Sequence, residues 1–111
     1  MPWKVKFFLT ASGDSPVEDF IAELDVTARA KISLSIRLLA NQGPFLKPPY
    51  IKKLQNKLYE LRISTEVQIR IFYTICNNEY YLLHAFVKKT QKTPLKELKT
   101  GVNRMKEISL V

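Results

Sequence analysis

The chain has one cysteine and one histidine among its 111 residues. A lone Cys76 excludes an internal disulfide and a thiolate metal site, and suits a reducing compartment. One cysteine with one histidine does not make a zinc site. Cys76 lies in an apolar stretch just before a predicted turn, a setting in which a thiol is inert, so a Cys–His nucleophile is also excluded. Long hydrophobic runs are missing too. Nothing approaches the roughly 20 apolar residues of a membrane span, and "MPWKVKFFLT" lacks the apolar stretch of a signal peptide. These absences predict a cytoplasmic protein with no membrane partner. Acidic residues are scarce, 10 Asp and Glu against 18 Lys and Arg, for a formal charge of +8.

What is present is unevenly placed. Residues 1–51 hold six Lys/Arg against five Asp/Glu, and residues 52–111 hold twelve against five. A basic half on a folded chain points to a polyanionic partner, most commonly nucleic acid; a well-solvated surface is the plainer alternative. The 46% apolar content is enough for a core, so the chain is not a disordered tail. Its length predicts one domain over 1–111.

"WKVKFFLT" alternates as a first strand. "SGDSPVEDFIAEL" starts a helix, with Ser15 as cap, Pro16 in the first helical position and Glu18 completing a capping box. In "DVTARAKISLSIRLLANQG" the apolar residues Ala30, Ile32, Leu34, Ile36 and Leu38 alternate like a strand, whereas Ile32, Ile36 and Leu39 share a helical face. Its length and the Gly43-Pro44 stop favour a helix. A proline-rich loop follows, and from Ile51 the chain reads as a three-stranded meander: "KLYELRI", "VQIRIFYTI" and "EYYLLHAFV". Asn77-Asn78 suits a tight hairpin. "LKELKTGVNRMKEISLV" is a last helix that Gly101 weakens. The fold class is α+β with a small antiparallel sheet.

Register then groups side chains. Pairing Ile63 with Val67 sets Arg62 opposite Gln68 and Glu60 opposite Arg70 on one face. Tyr59, Leu61, Ile63, Val67, Ile69, Ile71 and Tyr73 take the other, apolar face. Pairing Cys76 with Glu79 sets Arg70 opposite Ala85, and His84 opposite Ile71. On this register His84 and Phe86 join the apolar face. Leu83, Ala85, Val87 and, by continued alternation, Lys89 join Arg62 and Arg70. Phe72 sits beside Arg70 with a ring for stacking on a base. His84 reads as a core histidine with one hydrogen-bond partner rather than a catalytic base. Two plainer readings stand beside the functional one: Arg70 pairing with Glu60 across the strands, and Lys88, Lys89 and Lys92 forming a solvated loop.

The ordered set "KKL", "LYELRI", "QIRIFYTI" and "YYLLHAFVKKTQKTP" resembles HigB-type toxins of the RelE/ParE superfamily, in its phage-derived branch, over about Lys52 to Lys106. The resemblance implies a small antiparallel sheet with two helices after the first strand and a helix at the end. It implies the toxin of a type II toxin–antitoxin pair, neutralised by an antitoxin, expected to be a helix-turn-helix protein. RelE- and HigB-like members cleave mRNA on the ribosome; ParE-like members inhibit gyrase without nuclease activity. A plain basic nucleic-acid-binding phage protein is a third possibility. Carried onto this sequence, Arg62 is the phosphate or transition-state contact. Arg70 is the arginine of an R-x-x-Y pattern, and Lys88-Lys89 supply a second cation, Lys89 being preferred by alternation. Lys52 and Lys53 precede the second strand. The catalytic set is thus Arg62, Arg70 and Lys89, with Lys52, Lys53, Phe72, Lys88 and Lys92 binding RNA. Several relatives place a catalytic tyrosine or histidine in the last helix; the segment after Pro94 here has neither.

The chemistry expected needs no metal or cofactor. A ribose 2′-hydroxyl attacks its own phosphate, and preorganised cations stabilise the charge that develops. Arginine grips phosphate through a planar fork. Lysine crowded by cations can act as base, which assigns proton transfer to the 52–53 or 88–92 lysines.

Overall fold

The computed structural model describes residues 2–109. Strand β1 (Lys4–Phe7) leads into helices α1 (Pro16–Ala22) and α2 (Val26–Gln42). Four strands follow, β2 (Ile51–Gln55), β3 (Leu58–Ser64), β4 (Gln68–Cys76) and β5 (Glu79–Lys88), and then helix α3 (Leu95–Ser109). Leu110 and Val111, expected in the last helix, lie outside the described residues. The expected α+β fold is present. The sheet order is β1-β5-β4-β3-β2, and every pairing is antiparallel except that of β1 with β5. Among the described residues no helix is long and apolar enough to cross a membrane.

Ser15 does precede α1 and Pro16 opens it, but the Ser15 hydroxyl donates to Glu18 at 2.8 Å and makes no bond to the helix backbone. Asp25 caps α2, its carboxylate accepting from the Ala28 N–H at 2.8 Å. The strand-like alternation in α2 is incidental. Ala28, Ile32 and Leu39 are buried on one helical stripe, while Leu34 is 60% exposed. The helix ends at Gly43, where φ is 50° and a Cβ would lie 2.4 Å from the Trp3 ring. Only glycine meets both demands.

β2 is a fourth strand in the meander, beyond the three expected. It escapes a periodicity reading because its pairing with β3 slips between Lys53 and Gln55. The β3–β4 turn is wider than expected. Ser64 pairs with Gln68, and Arg62 stands opposite Arg70 rather than Gln68. Thr65 accounts for the extra length: its hydroxyl bonds both the N–H and the carbonyl of Val67, which leaves Val67 42% exposed in the loop instead of in the core. The shift is two residues, one full pleat repeat, so the faces survive although the partners change. Asn77 and Asn78 both adopt positive φ, 51° and 64°, as a tight hairpin requires.

β5 carries the larger surprise. Cys76 pairs with Glu79 as expected, but the register slips so that Tyr73 faces Leu82 while Phe72 faces His84. Leu83 is the extra residue of a β-bulge, and its carbonyl accepts from Arg104 of α3 at 2.9 Å. Beyond the bulge every side chain is turned over. Ala85 packs with Ile71 against α1 and α2, and Phe86 lies with Phe72 and Leu83 against α3. The expected placement of His84 and Phe86 on the α1/α2 face, and of Ala85 with Arg70, is therefore reversed.

Two apolar clusters result. One joins α1 and α2 to Leu61, Ile63, Ile69, Ile71 and Leu82. The other joins α3, through Leu98, Val102 and Met105, to Leu58, Phe72, Leu83 and Phe86. Gly101 lets α3 approach: a Cβ there would stand 2.6 Å from the Phe72 ring. The glycine that costs helix propensity is what admits that ring.

Candidate functional site

α3 covers only part of its face. Beyond it, across β3 and β4, lie Glu60, Arg62 and Arg70. Glu60 is 1% exposed, and a buried carboxylate must be compensated. Arg62 Nε–H donates to Glu60 Oε1 at 3.1 Å, and Arg70 Nε lies 3.6 Å from the same oxygen. One carboxylate thus holds two like-charged guanidiniums side by side on directly paired residues, which would otherwise repel. Arg70 also donates from Nη1 to the Ile69 carbonyl at 3.0 Å. Glu60 Oε2 and Arg70 Nε are buried and lack a hydrogen-bond partner among the described residues. Burial pulls the Arg70 guanidinium below its ordinary value, with Glu60 opposing and Arg62 reinforcing. The pairing of Arg70 with Glu60 foreseen as a structural alternative is real, but it leaves Arg62 about a third open, at 32%.

Two open cavities meet at Arg70 and Gln68. One, of about 450 Å³, runs past Arg62 to Lys31 and Tyr50. The other, of about 550 Å³, runs to Lys88 and Lys89. Lys88 pairs with Gln68 on the Arg70 face, so the bulge makes Lys88 rather than Lys89 the strand lysine of this surface. Lys89 lies past the end of β5 and still lines the cavity. Lys52 pairs with Glu60 and shares its face; Lys53 pairs with Tyr59 and shares the opposite one. Lys92 is exposed in the turn before α3, outside both cavities.

Phe72 does not belong to the site. It is fully buried beneath α3, edge-on to Phe86, and no base can reach it. His84 is also occupied. Its Nε2 lies 2.8 Å from Glu97 Oε1, and its Nδ1 lies 3.4 Å from Arg104 Nη1. Arginine only donates, so Nδ1 accepts and the Nε2 proton goes to Glu97. Burial holds the ring below its ordinary value, against Glu97 and with Arg104. His84 pins α3 to the bulge: it is structural as expected, but it has two polar partners rather than one and lies on the other face.

Sequence reasoning missed Lys31 and Tyr50. Lys31 reaches from α2 to the Ser64 carbonyl at 2.9 Å, and the Tyr50 carbonyl accepts from the Arg62 N–H at 2.8 Å. Lys31 comes from α2, far from "ELR" in sequence, and Tyr50 from the end of the loop before β2; no local pattern signals their approach.

The model of the phage-derived Gp49-like protein family (DUF891) matches residues 19–106. The chain belongs to this family. Gp49-like proteins are part of the RelE/HigB-type toxin superfamily and are commonly toxins of toxin–antitoxin pairs, which imply an antitoxin partner. The family is associated with RelE-type ribonucleases. The match begins within α1, spans α2 and strands β2 to β5, and ends within α3. No curated protein matches the chain significantly.

Proposed function

We propose that this Gp49-like protein is a HigB-type toxin that cleaves mRNA on the ribosome in the cytoplasm, without a metal or cofactor, and is silenced by a helix-turn-helix antitoxin. The observation that carries the reading is the pair of guanidiniums held over buried Glu60, on a sheet face that α3 leaves open, with Lys88 and Lys89 across the cavity. Arg62 and Arg70 grip the scissile phosphate and stabilise its extra negative charge. Lys88, Lys89 and Lys52 draw the flanking backbone in. Lys88 or Lys89 takes the 2′-hydroxyl proton. The 2′-oxygen bonds to phosphorus as the bond to the next nucleotide's 5′-oxygen breaks, and that oxygen leaves with a proton given up by the ammonium of the other of these two lysines. The products are a 2′,3′-cyclic phosphate and a 5′-hydroxyl.

Primer extension on cellular mRNA after induction tests this. Discrete new ends within codons are expected from the wild type. Arg62→Ala is expected to lower their yield about 10²- to 10³-fold, the usual cost of losing one transition-state donor. Intact cleavage by Arg62→Ala, or by a variant with both Lys88→Ala and Lys89→Ala, would remove the site. One observation favours a second reading: α3 itself carries no tyrosine or histidine to serve as proton donor over this face. A gyrase-inhibiting toxin needs none, and it predicts growth arrest with no new mRNA ends.

A further inference from the structure

Tyr50 stands at 53% exposure immediately before β2, in register with Arg62 through the backbone bond that joins them. Ile51 pairs with Leu61 and Lys52 with Glu60. Alternation therefore turns the Tyr50 side chain to the face of Arg62 and Arg70. The three form one row across the strands. The same cavity has two unlike walls: Leu34, Pro49 and Tyr50 are apolar and exposed, while Lys31, Arg62 and Arg70 are cationic. A large ring left half in water, beside two guanidiniums, is an unfilled apolar surface next to a phosphate-sized charge. A polyanion alone would not use it; a nucleotide would use both walls.

We infer that Tyr50 is a stacking platform for a nucleobase flanking the phosphate at Arg62 and Arg70, and that Leu34 and Pro49 complete its slot. The inference rests on the nuclease reading and assigns Tyr50 the stacking role that Phe72, buried under α3, cannot fill. Base–aromatic stacking tolerates every base, so the slot positions the strand and shapes preference through base size.

The test maps mRNA ends and cleavage rates for wild type, Tyr50→Ala and Tyr50→Phe, with thermal melts for each. Tyr50→Ala is expected to cut roughly tenfold more slowly, with an altered distribution of bases at the cut sites and an unchanged melting temperature. Tyr50→Phe, which restores the ring, is expected to recover rate and distribution. If Tyr50→Ala melts early, Tyr50→Leu takes its place, since it fills space without a π-face. Wild-type rate and cut sites in a folded ring-less variant would overturn the platform alone. No new ends from the wild type would overturn the nuclease reading and this inference together.

Discussion

The two faces of the sheet are built by different rules. The face under α1 and α2 is apolar throughout, with aliphatic side chains such as Val17, Ile32 and Leu82 packed against the rings of Tyr73 and Tyr80. The face under α3 is half hydrocarbon and half charge. Phe72, Leu83 and Phe86 lie beneath the helix, with Glu60, Arg62 and Arg70 outside it. Hydrophobic burial asks only for apolar residues of about the right volume. A charged face asks for particular partners at particular distances. The first face can drift without losing function, whereas the second depends on a bulge, a glycine and a shared carboxylate.

The largest effect is expected from emptying the α3 face. Phe72→Ala is expected to cost about 3–5 kcal/mol of stability in urea unfolding, because the ring is fully buried. A loss below about 1 kcal/mol would mean that α3 is only loosely seated and Phe72 is open to ligands after all. Gly101→Ala is the finer version. The new methyl would gain about 1 kcal/mol in helix propensity but meet the Phe72 ring at 2.6 Å, and overpacking costs about 1–3 kcal/mol. A net destabilisation of about 1 kcal/mol is expected, relieved when Phe72 is also changed to Leu. A more stable Gly101→Ala alone would show that α3 moves aside freely.

The same contrast explains what could be read from sequence. The apolar face was legible because its members repeat every second residue. Arg62 and Arg70 were placed on a common face correctly although their partners were wrong, since the turn at Thr65 shifted the register by a full pleat. His84, Phe86 and Lys88 were misplaced by the single extra residue at Leu83. Nothing in "YYLLHAFV" marks that bulge. It is held from α3 by Arg104, twenty-one residues away. β2 was hidden by its own slip against β3. The outer wall of the site was illegible for a different reason. Lys31 and Tyr50 join Arg62 around one cavity only through the packing of α2 and the end of the proline-rich loop.

The smallest expected effect separates the faces by pH. The α3 seam contains His84, held below its ordinary 6.5 by burial, with Glu97 opposing and Arg104 assisting from α3. Its folded form therefore prefers the neutral ring. The stability this gives is complete above 6.5 and is lost as pH falls from there toward the lower folded value. The α1/α2 face contains Tyr73, raised well above its ordinary 10.0 by burial with Tyr80 and Tyr59 adding, and Tyr80, raised by burial and Tyr59. Their folded forms prefer the neutral phenol, and that stability is lost as pH climbs past 10. One seam fails in acid and the other in alkali. Melting temperature followed from pH 8 to pH 5 should fall, and His84→Asn should flatten that limb alone. Followed from pH 9 to pH 11 it should fall again, with Tyr73→Phe flattening only the second limb. A single substitution that flattened both limbs would show that the two faces unfold as one titrating unit, and the division drawn between them would not hold.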